Sequence, residues 1–326
     1  MTSRRFLITA FLGALVWVLL LGMPLGVERG PEVLAARLLL LAPLVLVPLL
    51  LDAATVGGSS RVLRAISWLL GPSALAVVAS FLVPVGRAAG SLAAVWFVPT
   101  LLIAGWGARH ALRLRRGGWL NAPEAVLAVG CLGLPGGAVW LVLTRAGIDP
   151  GPYGSLVVLL TAVHFHYAAF VAPVWAALLG RATRRLLPAA RRAFAVLGAG
   201  LVAGTPLVAV GIALSGAPAG AAPIETVGVV VLTASAIGLA VLGLVVAPRL
   251  AGRGAPLMVG VSAAAFLGAM ALSLWFNVGA RLGVASPDLL WMLPRHGWLG
   301  GVGFGLWGAL GWRRAARRGD ARRPGR

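Results

Sequence analysis

A chain of 326 residues that is 60% hydrophobic and only 11% charged has too little polar surface to clothe a water-soluble globule, and it belongs in a bilayer. Its net charge of +20 comes from Arg alone, because all 28 basic residues are Arg and Lys is absent. These Arg lie between apolar runs and not among aromatics on a basic face, which excludes a nucleic-acid partner, and the single cysteine, Cys131, excludes an intrachain disulfide or a cysteine-built metal cluster.

A hydrocarbon core of about 30 Å takes roughly 20 apolar residues in a helix. Ten runs of suitable length follow one another: Phe6 to Val27, Val33 to Leu51, Val62 to Val83, Ser91 to Ala111, Ala122 to Leu143, Tyr153 to Leu179, Phe194 to Leu214, Val227 to Ala247, Leu257 to Val278, and a short last one from His296 to Trp312. The opening Ser3-Arg4-Arg5-Phe6-Leu7 is similar to a twin-arginine export signal. The run behind it is a full span with no small-residue cleavage site, so an uncleaved first helix is expected. The predicted fold is all-α, a polytopic transmembrane bundle of about ten spans. It comprises one domain over residues 1–312 and a basic cytoplasmic tail over 313–326.

Positive segments resist translocation, so Arg counts in alternate loops set the orientation. With the amino terminus inside, the inner segments hold 22 Arg and the outer loops five, namely Arg29, Arg87, Arg145, Arg281 and Arg295, with Arg37 inside the second span. Both termini are therefore expected in the cytoplasm. The Ala-, Gly-, Val- and Arg-rich composition suits a GC-rich bacterial genome, which places the expected location in the bacterial cytoplasmic (inner) membrane. The bilayer is the expected partner, with anionic lipid head groups at the cytoplasmic Arg clusters and the tail.

Pro43, Pro48, Pro72, Pro99, Pro135, Pro173 and Pro206 fall in or near spans, where neighbouring helices can satisfy the freed carbonyls. Gly297, Gly300, Gly301, Gly303, Gly305, Gly308 and Gly311 make the last helix thin, and their spacings predict close helix packing.

The sixth span carries Thr161-Ala162-Val163-His164-Phe165-His166-Tyr167. His164 lies eleven residues past Tyr153, about 16 Å into the core and near its midplane. Intramembrane ionisable groups are functional candidates by default. At about 100° per residue the two imidazoles point roughly 200° apart, so one helix cannot chelate a single ion with both. Either each serves a different site, or one binds a ligand while the other hydrogen-bonds a neighbouring helix. His296, at the outer start of the last span, can approach the outer half of the sixth helix and form a cluster with His164 or His166. His164, His166 and His296 are thus the candidate cofactor-binding residues, for heme or a metal ion.

The phrase His164-Phe165-His166-Tyr167 resembles a helix of the heme-copper oxidase catalytic subunit, where two such His ligate two hemes on opposite sides. Those enzymes need further His, and this chain has only His110 and His296 besides, which argues against an oxidase. A broader resemblance is to the YndJ-like family of uncharacterised bacterial membrane proteins. It is carried by Val163-His164-Phe165-His166-Tyr167-Ala168 and by His296-Gly297 followed by Gly303-Phe304. That family is expected to show Asn soon after the His-Gly pair, where this chain has Gly300. The resemblance implies a multi-pass membrane protein and brings no biochemical activity with it.

Further intramembrane polar candidates are Thr161, Tyr167, Asn277 and Arg295. Asn277 is expected to hydrogen-bond another helix, Asp52 and Glu124 to sit where water reaches them, Arg37 to snorkel, and His110 to lie at the interface among Arg109, Arg113, Arg115 and Arg116. No phosphate loop, nucleophile beside a base, or acidic metal cluster is present, which argues against an enzyme. Three readings stay open: a heme- or metal-binding membrane protein, a small-solute or proton-coupled transporter, and a non-catalytic membrane component with protein partners.

Overall fold

The computed structural model describes residues 2–27, 30–56, 58, 60–116, 122–151, 153–214, 221–279 and 282–321, with backbone alone at 114–116, 221–223 and 319–321. Arg29, Arg281, Arg322, Arg323 and Arg326, all counted in the orientation argument, lie outside the described residues, as do the side chains of Arg115 and Arg116.

Every described element is helical. In chain order they are α1 (Thr2–Leu20), α2 (Pro31–Leu41) and α3 (Val47–Ala54), α4 (Arg61–Leu82), α5 (Arg87–Ala94) and α6 (Phe97–Arg116), α7 (Ala122–Ala146), α8 (Ser155–His166) and α9 (Ala172–Leu186), α10 (Arg191–Ala213), α11 (Ala221–Val246), α12 (Ala255–Gly279), and α13 (Leu289–Trp298) and α14 (Trp307–Ala321). Among the described residues nine segments are long and apolar enough to cross a membrane, and the helix built from α13 and α14 makes the tenth predicted span.

Three spans are broken by wide π turns: Ala42–Leu46 between α2 and α3, Tyr167–Val171 between α8 and α9, and Leu299–Leu306 between α13 and α14. Proline explains the first two. Pro48 has no N–H for the Leu44 carbonyl, and Val47 reaches back five residues to Ala42; Pro173 likewise strips Ala169 of its donor, and Ala172 bonds Tyr167. The third lies in the Gly-rich run, where side chains resist widening least. The third wide turn packs against both of the others, and such turns are frequent at functional sites.

The second span is the hub, with 83% of its apolar window buried against 28% for the first. The thin last helix closes onto it. A Cβ at Gly297 or Gly301 would stand 2.5 or 2.7 Å from a terminal methyl of Leu38, so the two glycines let the helices approach with the Leu38 side chain left in place. Below this contact Trp175 packs edge-on against Phe266, Phe304 and Trp312 and donates its indole N–H to Ser262 Oγ at 3.0 Å.

One boundary differs from the sequence reading. The last helix starts at Leu289 and not at His296, because Asp288 caps it by accepting the Trp291 N–H at 2.7 Å. Pro294 and Arg295 look like breaks in a linear reading, yet sit within the helix. His296 is therefore two turns inside it.

The end of the bundle that holds Ser3 and α14 is polar and saturated. Asp52, 1% exposed, accepts from Arg313 Nε at 2.7 Å, from Arg317 at 3.1 Å and from Ser3. Glu124, also buried, takes two bonds from Arg181 at 2.6 and 2.7 Å and one from His110 at 2.8 Å, while Arg181 also donates to the Ala54 carbonyl. Two expectations are corrected here: both carboxylates are buried, and each is counter-charged by basic side chains that are themselves partly exposed. Of the expected basic tail, residues 313–321 continue α14, and Arg313 and Arg317 hold Asp52.

At the opposite end Arg145, expected in an outer loop, is fully buried. It donates to the carbonyls of Ser80, Gly26 and Val83 at 2.8–3.1 Å. It thereby ties the ends of α4 and α7 to the chain leaving α1.

Candidate functional site

The 200° separation of His164 and His166 becomes two different environments. His166 is fully buried and its ring is satisfied on both nitrogens. Nδ1 meets the Ala162 carbonyl at 2.8 Å; a carbonyl only accepts, so Nδ1 carries the proton, and Nε2 then accepts the Trp96 indole N–H at 3.1 Å. Gly137 makes room for this ring, since a Cβ there would lie 2.6 Å from Nδ1. The structure thus places His166 in a helix-joining hydrogen bond, away from the cavity described next.

His164 faces the other way, toward His296. The ring centroids are 6.3 Å apart at an interplanar angle of 26°. His164 Nδ1 donates to the Leu160 carbonyl at 2.7 Å and His296 Nδ1 to the Ala269 carbonyl at 3.0 Å. By the same rule both rings carry their proton on Nδ1, and both Nε2 lone pairs have no protein partner among the described residues.

Both rings border one cavity of about 170 Å3 between the second, sixth, seventh, eighth, ninth and last spans. Its wall is almost wholly apolar: Leu38, Leu160, Phe266 and Phe304 with Met270 and Met292. Tyr167 lies on its edge, its hydroxyl donating to the Leu38 carbonyl at 2.9 Å. Gly300 also borders it, and a Cβ there would meet nothing within 4 Å. The position where the family resemblance leads one to expect Asn thus opens into the cavity beside His296.

The remaining candidates stand elsewhere. Thr161 bonds the Val157 carbonyl at 2.8 Å and Asn277 the Ser273 carbonyl at 3.0 Å, both within their own helices. Asn277 therefore does not make the interhelical bond expected of it. Arg295 is exposed, stacks over Trp291 at 3.9 Å and bonds that residue's carbonyl at 2.9 Å. Among the described residues no group of three His, Cys, Asp or Glu converges to hold a metal.

Sequence reasoning missed Trp96, Arg145, Arg181, Met270 and Met292. Met292 was recoverable in principle, since it lies one turn before His296 once both are in one helix. The others depend on contacts between distant spans.

An all-helical, multi-pass membrane protein with an imidazole-lined cavity among its spans is thereby defined. Residues 37–304 match the model of the YndJ-like protein family, and the chain belongs to that family. It is also similar to the uncharacterized membrane protein YndJ of Bacillus subtilis (strain 168), with 35% identity over 96 residues, or 29% of this chain and 17% of that protein. The matched stretch thus spans less than one fifth of that relative. No solved structure matches the chain.

Proposed function

We propose that this protein is an intramembrane binding protein that holds a small ligand between His164 and His296. The observation that carries the reading is the pair of neutral imidazoles, from α8 and α13, that border one apolar cavity with Nδ1 committed to backbone and Nε2 open. His164 is exposed and His296 half-buried, both on spans that cross the bilayer, where a lone pair that faces hydrocarbon without a donor is costly unless something fills it. The cavity is smaller than the roughly 300–1,000 Å3 of sites for drug-sized ligands, so its occupant is an ion or a compact molecule. Two of the π turns border this cavity, through Tyr167 and Ala168 and through Gly300, Gly301 and Phe304, which supports the reading further.

The protein acts in the bacterial inner membrane with both termini in the cytoplasm. Support comes from the Arg-rich loops at the end that holds Ser3 and α14, a distribution that resists translocation. Arg residues there that pair with no carboxylate suit anionic lipid head groups.

The test compares purified protein with His164→Ala, His296→Ala and His166→Ala variants by metal analysis, absorption spectra of oxidised and reduced samples, and native mass spectrometry. A bound species lost in the first two variants and kept in the third is the expected result. Ligand content that is the same in all four proteins would overturn the reading.

A further inference from the structure

We propose that the ligand of this cavity is Cu(I), held by His164 and His296 together with the thioethers of Met270 and Met292; the inference rests on the binding reading above. Four side chains from three spans border the same space. Met292 stands one turn before His296 on α13, and Met270 directly follows Ala269, whose carbonyl accepts the His296 Nδ1 proton at 3.0 Å. The chain has only five methionines, and two are here. Methionine also fills irregular apolar gaps, so the thioethers alone would carry nothing. Their sharing of one cavity with two imidazole lone pairs is what points to a soft metal.

Charge narrows the choice. No carboxylate, thiolate or Arg borders the cavity, so a bound cation keeps its whole charge in an apolar wall. The cost of desolvation grows with the square of that charge, about fourfold from a monovalent to a divalent ion, which disfavours Zn(II) and Cu(II). Hard cations require several oxygen ligands, whereas the Tyr167 hydroxyl proton is spent on Leu38 and the other side-chain oxygen on the wall is that of Ser273. Imidazole suits copper and thioether selects its monovalent state. Two imidazole nitrogens at about 2 Å from one ion bring their ring centres to roughly 5–6 Å. The observed 6.3 Å lies just above that range, so a small approach of the two rings lets them share one ion.

The experiment titrates the full-length protein in lipid nanodiscs, without oxygen, with Cu(I) against a chromogenic Cu(I) chelator, and separately with Zn(II). One equivalent of Cu(I) per chain is expected, with nitrogen and sulfur neighbours in its X-ray absorption spectrum. His164→Ala and His296→Ala should weaken binding by about 100-fold or more, and Met270→Leu and Met292→Leu by about tenfold each. Leucine nearly conserves the methionine volume, so unchanged thermal unfolding will show that the Met variants fold. Zn(II) held through the two His with the Met variants neutral would overturn the copper assignment and leave the binding reading standing. So would an organic molecule lost with the His variants while copper is refused. Copper retained in the His variants, or no species that depends on either His, would overturn both.

Discussion

The polar groups at the end of the bundle that holds Ser3 and α14 and those around the central cavity face the same low dielectric with opposite outcomes. Asp52 and Glu124 have every strong partner they can use: three donors on each carboxylate, drawn from distant parts of the chain. His164 and His296 have one backbone partner each and an open nitrogen facing shared space. The saturated clusters tie helices together, and the unsaturated pair is where the proposed ligand is held. His166, two residues from His164, falls on the architectural side, so the distinction is finer than sequence distance.

The largest expected effect lies in the saturated cluster. Asp52→Ala strands Arg313, whose side chain is only 16% exposed, without its counter-charge, and unfolding in detergent should show a loss of about 3 kcal/mol or more. A loss below about 1 kcal/mol would mean that water reaches this end and that the cluster is weaker than its burial implies. His166→Ala comes next. It removes a fully buried ring and leaves the Trp96 indole N–H unpaired, at a cost of about 2–4 kcal/mol, with the cavity's ligand retained.

His164→Ala should cost no more than about 1 kcal/mol, since it deletes one backbone hydrogen bond at a cavity edge, while abolishing retention of the ligand. Reversal of this order between the two His variants in paired stability and binding assays would break the comparison outright. Gly300→Leu sharpens it, because the new side chain projects into open space. Unfolding should shift by less than about 1.5 kcal/mol, and ligand retention should fall as the cavity fills. The smallest effect is Thr161→Val. It removes a bond within the helix and should stay within about 0.5 kcal/mol with unchanged binding.

The spans were legible because the bilayer imposes one length and one polarity on every crossing helix. Nine of the ten runs align with helices to within several residues at each end, although the fourth is split into α5 and α6. The last was misread at its start, where the local signs of a break, Pro294 and Arg295, lose to the cap at Asp288 and to packing against α2. The divergence of His164 from His166 followed from helical geometry alone. Which of them would be open did not, since Trp96 and Gly137 come from other spans.

What the sequence determined by itself was the membrane class, the number and course of the spans, the presence of imidazoles within the spans and the family resemblance. These are properties of composition and of a helix taken alone. The tertiary structure alone decided that His296 meets His164, that Met270 and Met292 share their cavity, and that Asp52 and Glu124 are neutralised in place. Each of these depends on which faces of separate helices come together. In a bilayer nearly all surface is apolar, so the hydrophobic pattern fixes little about helix rotation, and close glycine contacts and a few buried polar bonds settle it instead.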